Sequence, residues 1–438
     1  MAGTNLYKTF SSSTNNKTCT LSVWVKRSGL NDRQAIASQT VDGSNETFIW
    51  FDTNDELFLK ESGEATYEKR TNRKFRDTSA WYHIVMAIDT TQSTASDRVK
   101  LYINGVQETS WANSTDPALN DDTRWNSTTQ FNIGRMNYGS EYFNGSMSHL
   151  HWIDGTAYDA SAFGSTDSTT GEWKINATPS VTYGNDGYFI LKNGNSVTDQ
   201  SGNSNNFTVA GGTLTKTEDC PSNVFATFNP LMKNSNINLQ NGNTSIRPQA
   251  NSIDFQAGST LAFSSGKYYA EFKYLENDGH QMYGISTTEG ASELLRNLQF
   301  TGQTATSVAI YASNGSVYEN NSASSYGSGF ANNAIIMMAV DADNNKIYFG
   351  SNGTWYNSGN PSSGTNGYSF NATNLAGFKY MVAGNGTVGY DNTDANFGNG
   401  YFGTTAVSSA GTNASNNGIF EYDVPTGYTA LSTKGLNL

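Results

Sequence analysis

The sequence predicts an all-β protein made of two antiparallel β-sandwiches. Three observations carry that expectation. Run after run alternates apolar and polar residues at period two, turn dipeptides close those runs, and apolar residues never recur at i, i+3, i+4, i+7 over a helical length. The chain has 438 residues, which suits two large β domains or about three smaller ones.

The strands follow in order. Thr20-Leu21-Ser22-Val23-Trp24-Val25, Thr47-Phe48-Ile49-Trp50-Phe51 and Glu56-Leu57-Phe58-Leu59 alternate, as half-buried strands do. His83-Ile84-Val85-Met86-Ala87-Ile88 comes next, and Val99-Lys100-Leu101-Tyr102-Ile103 runs into Asn104-Gly105, the strongest short hairpin signal. Further Asn-Gly pairs punctuate the chain, among them 144–145, 314–315, 352–353 and 399–400. A turn or two of helix is expected only near Gly290 to Leu298. Residues 159–218 are less regular, yet hold two strand candidates, Gly187-Tyr188-Phe189-Ile190-Leu191 and Asn206-Phe207-Thr208-Val209. This segment is too short and polar for a core of its own and is expected to pack on the first sandwich. The prolines Pro221 and Pro230, followed by an Asn-rich stretch from Asn234 to Asn243, put the domain boundary near 232. The expected domains are 1–232 and 233–438.

Composition excludes several classes. Charged residues are 15% and aromatics 13%, the reverse of the high charge and few aromatics of disordered chains. With 38 acidic and 26 basic residues the net charge is −12, and no basic cluster offers phosphate a footprint, so a nucleic-acid partner is excluded. No window approaches eighteen apolar residues, so no membrane insertion is expected. Met1-Ala2-Gly3-Thr4-Asn5-Leu6-Tyr7-Lys8 lacks a secretory pattern. Cys19 and Cys220, two thiols far apart in sequence, are expected to be reduced or buried, with a pairing between them left open. Synthesis in a cytoplasm, combined with an Asn/Thr/Ser/Gly-rich surface, fits a protein released by lysis into an exposed particle.

The chemical motifs are incomplete. Glycosidic hydrolysis needs two carboxyls flanking one bond. The nearest matches, Glu276-Asn277-Asp278 and Glu421-Tyr422-Asp423, lack the final carboxylate of a Glu-x-Asp-x-x-Glu strand. Gly384-Asn385-Gly386-Thr387-Val388-Gly389 has dinucleotide-loop spacing but no helix to follow it, and reads as a glycine hairpin. His149 and His151 fall at i and i+2 on one strand face without further ligands. Asp341-Ala342-Asp343-Asn344-Asn345 lacks the glycine and glutamate of a calcium loop and reads as a type I′-like turn. No catalytic or metal-binding residue is therefore assigned. Trp24, Trp50 and Trp81 alternate within strands and are expected in the core. Trp111 and Trp125 lie in the polar stretch 110–130 and are the ligand-binding candidates, as rings able to stack on sugars.

Trp81-Tyr82-His83-Ile84-Val85, then Val99 to Gly105, Ile133-Gly134-Arg135 and Tyr142-Phe143-Asn144-Gly145-Ser146-Met147 resemble, in that order, the concanavalin A-like, laminin-G-like jelly roll. Asp199-Gln200-Ser201-Gly202-Asn203 resembles a turn found beside such domains. Ser265 to Phe272, Tyr283-Gly284-Ile285-Ser286, Met338-Ala339-Val340-Asp341, Lys346-Ile347-Tyr348-Phe349, Asn352-Gly353-Thr354-Trp355 and Ala395-Asn396-Phe397-Gly398 resemble a SPRY β-sandwich, with Ala270 where many have Trp. The joint arrangement, closed by Pro425 to Leu431, is similar to structural proteins of marine tailed bacteriophages.

That resemblance implies a non-enzymatic virion protein, a capsid-decoration or tail-appendage subunit. Its partners would be other virion proteins, and it would be present in multiple or symmetric copies. It leaves open a host-recognition adhesin for a cell-surface glycan and, more remotely, a polysaccharide-degrading glycoside hydrolase. No cofactor is implied beyond one structural calcium ion of the kind laminin-G-like jelly rolls often carry, with no ligands assigned.

Overall fold

Strand side chains point alternately to opposite faces, so an apolar/polar alternation buries one face of a sheet against a second sheet. In the computed structural model, which describes residues 3–249, 256–275, 279–288, 290, 300–386 and 391–437, the chain divides into two units, Met1–Lys216 and Thr217–Leu438. The boundary expected near 232 falls instead inside the strand Phe228–Lys233, which pairs with Gln256–Phe263 of the second unit.

In the first unit an eight-stranded sheet runs in the order Trp111–Thr115, Tyr67–Lys74, Glu56–Glu61, Thr47–Phe51, Gln34–Ser38, Phe131–Ile133, Asn5–Lys8, Thr208–Ala210. A six-stranded sheet runs Tyr188–Ile190, Gly145–Asp154, Thr18–Arg27, Trp81–Asp89, Val99–Ile103, Val106–Gln107. All these pairings are antiparallel. Leu21, Val23, Ile84 and Met86 of the smaller sheet meet Ile49, Phe51, Leu57 and Leu59 of the larger in one core. The Asn104-Gly105 turn has φ of +48° and +82° between directly paired Ile103 and Val106, the left-handed pair a type I′ hairpin needs.

Segment 159–218 belongs to this unit as far as Lys216, and its first part packs on the sandwich. Ala160 and Phe163, with Tyr158, Trp173 and Tyr183, cover Val85 and Ile153 on the outer face of the six-stranded sheet. The Asp199 turn is a structural pin. Its carboxylate accepts the backbone N–H groups of Phe189, Ser201 and Asn205, each at 2.8 Å, tying the Tyr188–Ile190 strand to the returning chain.

The second unit stacks a seven-stranded sheet on a nine-stranded one. Tyr283, Ile285 and Ile310 from the first face Phe272, Ile336 and Met338 from the second. Ala270 is fully buried with Met338 directly opposite. The other face of the nine-stranded sheet is covered by the C-terminal segment, whose Phe420, Val424 and Tyr428 pack on Tyr269, Met337 and Tyr348. Buried Glu271 fastens that cover by accepting the backbone N–H groups of Glu421 and Tyr422, both at 2.8 Å. Burial raises its pKa to about 7 against those hydrogen bonds. The helical turn expected at Gly290 to Leu298 lies almost wholly outside the described residues.

Candidate binding face

The outer face of the eight-stranded sheet carries a second apolar cluster, separate from the core. Its origin is local. Phe48-Ile49-Trp50-Phe51 and Leu57-Phe58-Leu59 are apolar at consecutive positions, so those strands present apolar side chains to both faces. Ile49, Phe51, Leu57 and Leu59 enter the core, while Phe48, Trp50 and Phe58 point outward and pack with Ala35 and Met136. Phe48 stacks on Trp50 at 3.9 Å between ring centroids, and Phe58 meets Phe48 edge-on at 5.3 Å.

Register arranges the outward residues in two cross-strand rows. One runs Asn113, Arg70, Phe58, Trp50, Ala35; the other runs Glu68, Lys60, Phe48, Ser38, Asn132, Tyr7. The aromatic rings are roofed by cations. The Arg70 guanidinium lies 4.2 Å from the Phe58 centroid and that of Arg33 5.2 Å from Trp50, the stacked geometry that suits a weakly hydrated planar cation. Alongside, Arg135 lies 5.2 Å from the Tyr142 ring, and its carbonyl accepts the Ser38 hydroxyl at 2.9 Å. Trp50 is consequently only 7% exposed.

Four carboxylates around this face are held by a cation or an amide. Glu46 pairs with Lys60 at 2.6 Å, Glu56 with Lys74, and Asp52 with Arg70 at 3.5 Å, while Glu68 accepts from the Asn113 amide at 2.7 Å. Arg33 and Arg135 have no ion-pair partner among the described residues. Trp50 Nε1, Arg70 Nε, Arg135 Nε and Asn132 Nδ2 are buried donors, and Glu141 Oε2 a buried acceptor, without a hydrogen-bond partner among the described residues.

Trp125 is fully buried, which corrects its reading as a surface ligand contact. Its indole N–H donates to Tyr67 Oη at 2.7 Å inside the core, since the polar stretch around it is drawn under the sheet by the Arg124 N–H bond to buried Glu61 at 2.7 Å. Trp111 is half-buried on an edge strand, with Lys69 Nζ 5.3 Å from its ring. Trp24, Trp50 and Trp81 are buried, but none of them joins the inter-sheet core: Trp50 faces outward from the larger sheet, while Trp24, 4.8 Å from the His83 ring, and Trp81 alternate with the core residues Val23, Val25, Tyr82 and Ile84 of the smaller one. Sequence reasoning missed the Trp50 face; the signal was the loss of alternation in the two runs quoted above.

The remaining motifs serve the frame. His83 is fully buried, and burial pushes its pKa down to about 3. His151 lies 3.9 Å from the Phe189 ring centroid and shares a hydrogen bond with Tyr183 Oη at 2.9 Å. His149 sits at a bulge with φ of +46°. It does not continue a flat strand face, although it too packs on Phe189 at 5.9 Å. Among the described residues no group of three His, Cys, Asp or Glu side chains is placed to hold a metal ion.

Asp341 accepts from Asn344 and pairs with Lys267 at 3.0 Å. Its hairpin has a single left-handed residue, Asn345, where a type I′ turn needs two. Glu421 holds Ser408 and Asp423 holds Thr412, two separate loop anchors. Glu276 to Asp278 and Thr387 to Gly389 lie outside the described residues. Cys19 and Cys220 are both free thiols.

Residues 2–161 match the laminin-G-type family of the Concanavalin A-like lectin/glucanases superfamily. No curated protein matches the chain. Among solved structures, the SPRY domain of human HERC1 is similar at 16% identity, with 38% of this chain and 96% of that chain covered and a TM-score of 0.31. The PSpry domain of TRIM65 is similar at 16% identity, with 39% and 91% covered and a TM-score of 0.30.

Proposed function

We propose that this chain is a non-enzymatic structural protein of a phage particle. It is an exposed capsid-decoration or tail-appendage subunit that acts through contacts with other virion proteins, in multiple copies. One observation supports the contact-forming part of this reading: the outer face where exposed Arg33 and Tyr138, with half-buried Arg70 and Arg135, lie about the buried Phe48, Trp50, Phe58 and Met136 cluster. Aromatic residues, Met and Arg are the types enriched at protein interfaces and their energetic centres. The particle setting is supported by the order of motifs along the chain, which resembles tailed-phage structural proteins.

Catalysis finds little support on this face, where Glu46, Asp52, Glu56 and Glu68 are engaged by cations or an amide. A second reading is a host-recognition adhesin that binds a cell-surface glycan. It is favoured by the match of residues 2–161 to lectins and glucanases and by the polar row beside the rings.

The test is quantitative mass spectrometry and immunogold labelling of purified particles, with a reducing-sugar assay on β-glucans using the purified chain. Surface labelling at a fixed copy number and no sugar release are expected. Absence from the particle overturns the structural role, and sugar release overturns the non-enzymatic one.

A further inference from the structure

We propose that Asn193 is a self-modification site, whose side chain closes on the Gly194 nitrogen to a succinimide that water opens to aspartate or isoaspartate. This goes beyond the particle assignment above and needs neither a partner nor an enzyme.

The chemistry is that of an asparagine followed by glycine. The glycine nitrogen attacks Cγ of the asparagine, a C–N bond forms, the bond from Cγ to Nδ2 breaks, and ammonia leaves with the proton of the glycine N–H. Water then adds to one of the two imide carbonyls. Opening at the former side-chain carbonyl gives aspartate; opening at the backbone carbonyl gives isoaspartate, with the chain running on through Cβ. Ammonia is exchanged for water, a gain of one mass unit. Glycine favours the attack because it has no Cβ in the way. Ring closure also requires a side-chain amide and a glycine N–H that are not held elsewhere, and a backbone free to turn between them.

The chain has ten Asn-Gly pairs, and the fold restrains most of them. Asn104 and Asn352 accept the backbone N–H groups of His83 at 2.7 Å and Ile335 at 2.9 Å. After Asn314, Asn385 and Asn399, the glycine itself is engaged: Gly315 donates to the Tyr311 carbonyl at 2.9 Å, Gly386 to the His280 carbonyl at 2.7 Å and Gly400 to Asn396 Oδ1 at 3.1 Å. The amides of Asn241 and Asn366 donate to Ser245 Oγ at 2.9 Å and the Ser358 carbonyl at 3.1 Å. Asn417 is buried and donates to Thr429 Oγ1 at 2.8 Å.

Asn144 and Asn193 are left. Both are exposed, and neither side-chain amide has a hydrogen bond among the described residues. The backbone separates them. The Asn144 carbonyl accepts the Ser28 N–H at 2.8 Å, and Gly145 pairs with Arg27 in the six-stranded sheet, so rotation towards the ring would break the ladder. Asn193 lies beyond the end of the strand Tyr188–Ile190, in a turn closed by a Ser196 N–H bond to its carbonyl at 3.4 Å. The N–H of Gly194 has no hydrogen bond among the described residues. Asn193 alone therefore combines a free amide, a free glycine nitrogen and a backbone outside the sheets.

The test ages the purified full chain at mildly alkaline pH and maps the gain in mass by digestion and fragmentation mass spectrometry. Conversion at Asn193 is expected to be at least about tenfold faster than at Asn144 or any other Asn-Gly pair, a barrier difference of about 1.4 kcal/mol. In urea the preference is expected to vanish, because the fold supplies the restraint. Isoaspartyl methyltransferase is expected to label the aged intact chain, and N193Q to lose both the label and the mass gain. No conversion at Asn193, equal conversion at another Asn-Gly pair of the folded chain, the same preference in urea, or full labelling of N193Q overturns the proposal.

Discussion

The indole N–H of Trp173 donates to Nδ1 of His83 at 3.0 Å. Indole can only donate, so Nδ1 must accept and the ring proton sits on Nε2. That proton points to Ser22 Oγ, 2.9 Å away. A serine that receives a hydrogen bond from histidine is not being deprotonated by it, so the pair holds two strands and the overlying segment together and activates no nucleophile.

His83 should therefore stay neutral well into acid. Its pKa of about 3 lies below the ordinary 6.5, so the unfolded chain binds the proton first. Stability from this site is complete above about pH 6.5 and is lost as pH falls towards 3, at up to about 1.4 kcal/mol per pH unit. Nitrogen-15 NMR of the imidazole is expected to show the Nε2–H tautomer down to pH 4.

Glu271 has the opposite sign. Its pKa of about 7 stands above the ordinary 4.5 because burial penalises the anion. Its ionisation removes stability as pH rises from about 4.5 through 7, and acidification restores it. E271Q should flatten the difference in Tm between pH 5 and pH 8 relative to the parent chain.

The buried pair Arg27–Asp55, at 3.0 Å with both side chains fully buried, predicts an asymmetry. Asp55→Ala leaves Arg27 with its charge unmatched and should cost about 3–5 kcal/mol in urea unfolding, whereas R27M/D55N should recover much of that loss.

Trp125→Ala opens a cavity in the core and removes the partner of Tyr67 Oη. A loss of about 3–5 kcal/mol is expected in urea unfolding. Trp111→Ala, half-buried on its edge strand, should cost about 1–2 kcal/mol, in line with partial burial of a large ring.

Much of the fold was legible because alternation and Asn-Gly turns act locally. Ile103-Asn104-Gly105-Val106 specifies its own hairpin without help from the rest of the chain. The outward Trp50 cluster was not legible, since alternation allots one apolar face per strand and Phe48 to Phe51 supply two. Trp125 misled for a related reason: polar neighbours mark a loop, yet the Arg124 backbone bond to Glu61 and the indole bond to Tyr67, both long-range, decide whether that loop lies on the surface or under it.

The first unit is proposed to meet a neighbouring virion protein through its Trp50 face. A density map of the intact particle at side-chain resolution tests it most directly. This chain is expected on the exterior, with its Trp50 face against a different virion protein. The same face open to solvent in every copy, or occupied by an oligosaccharide, would contradict it.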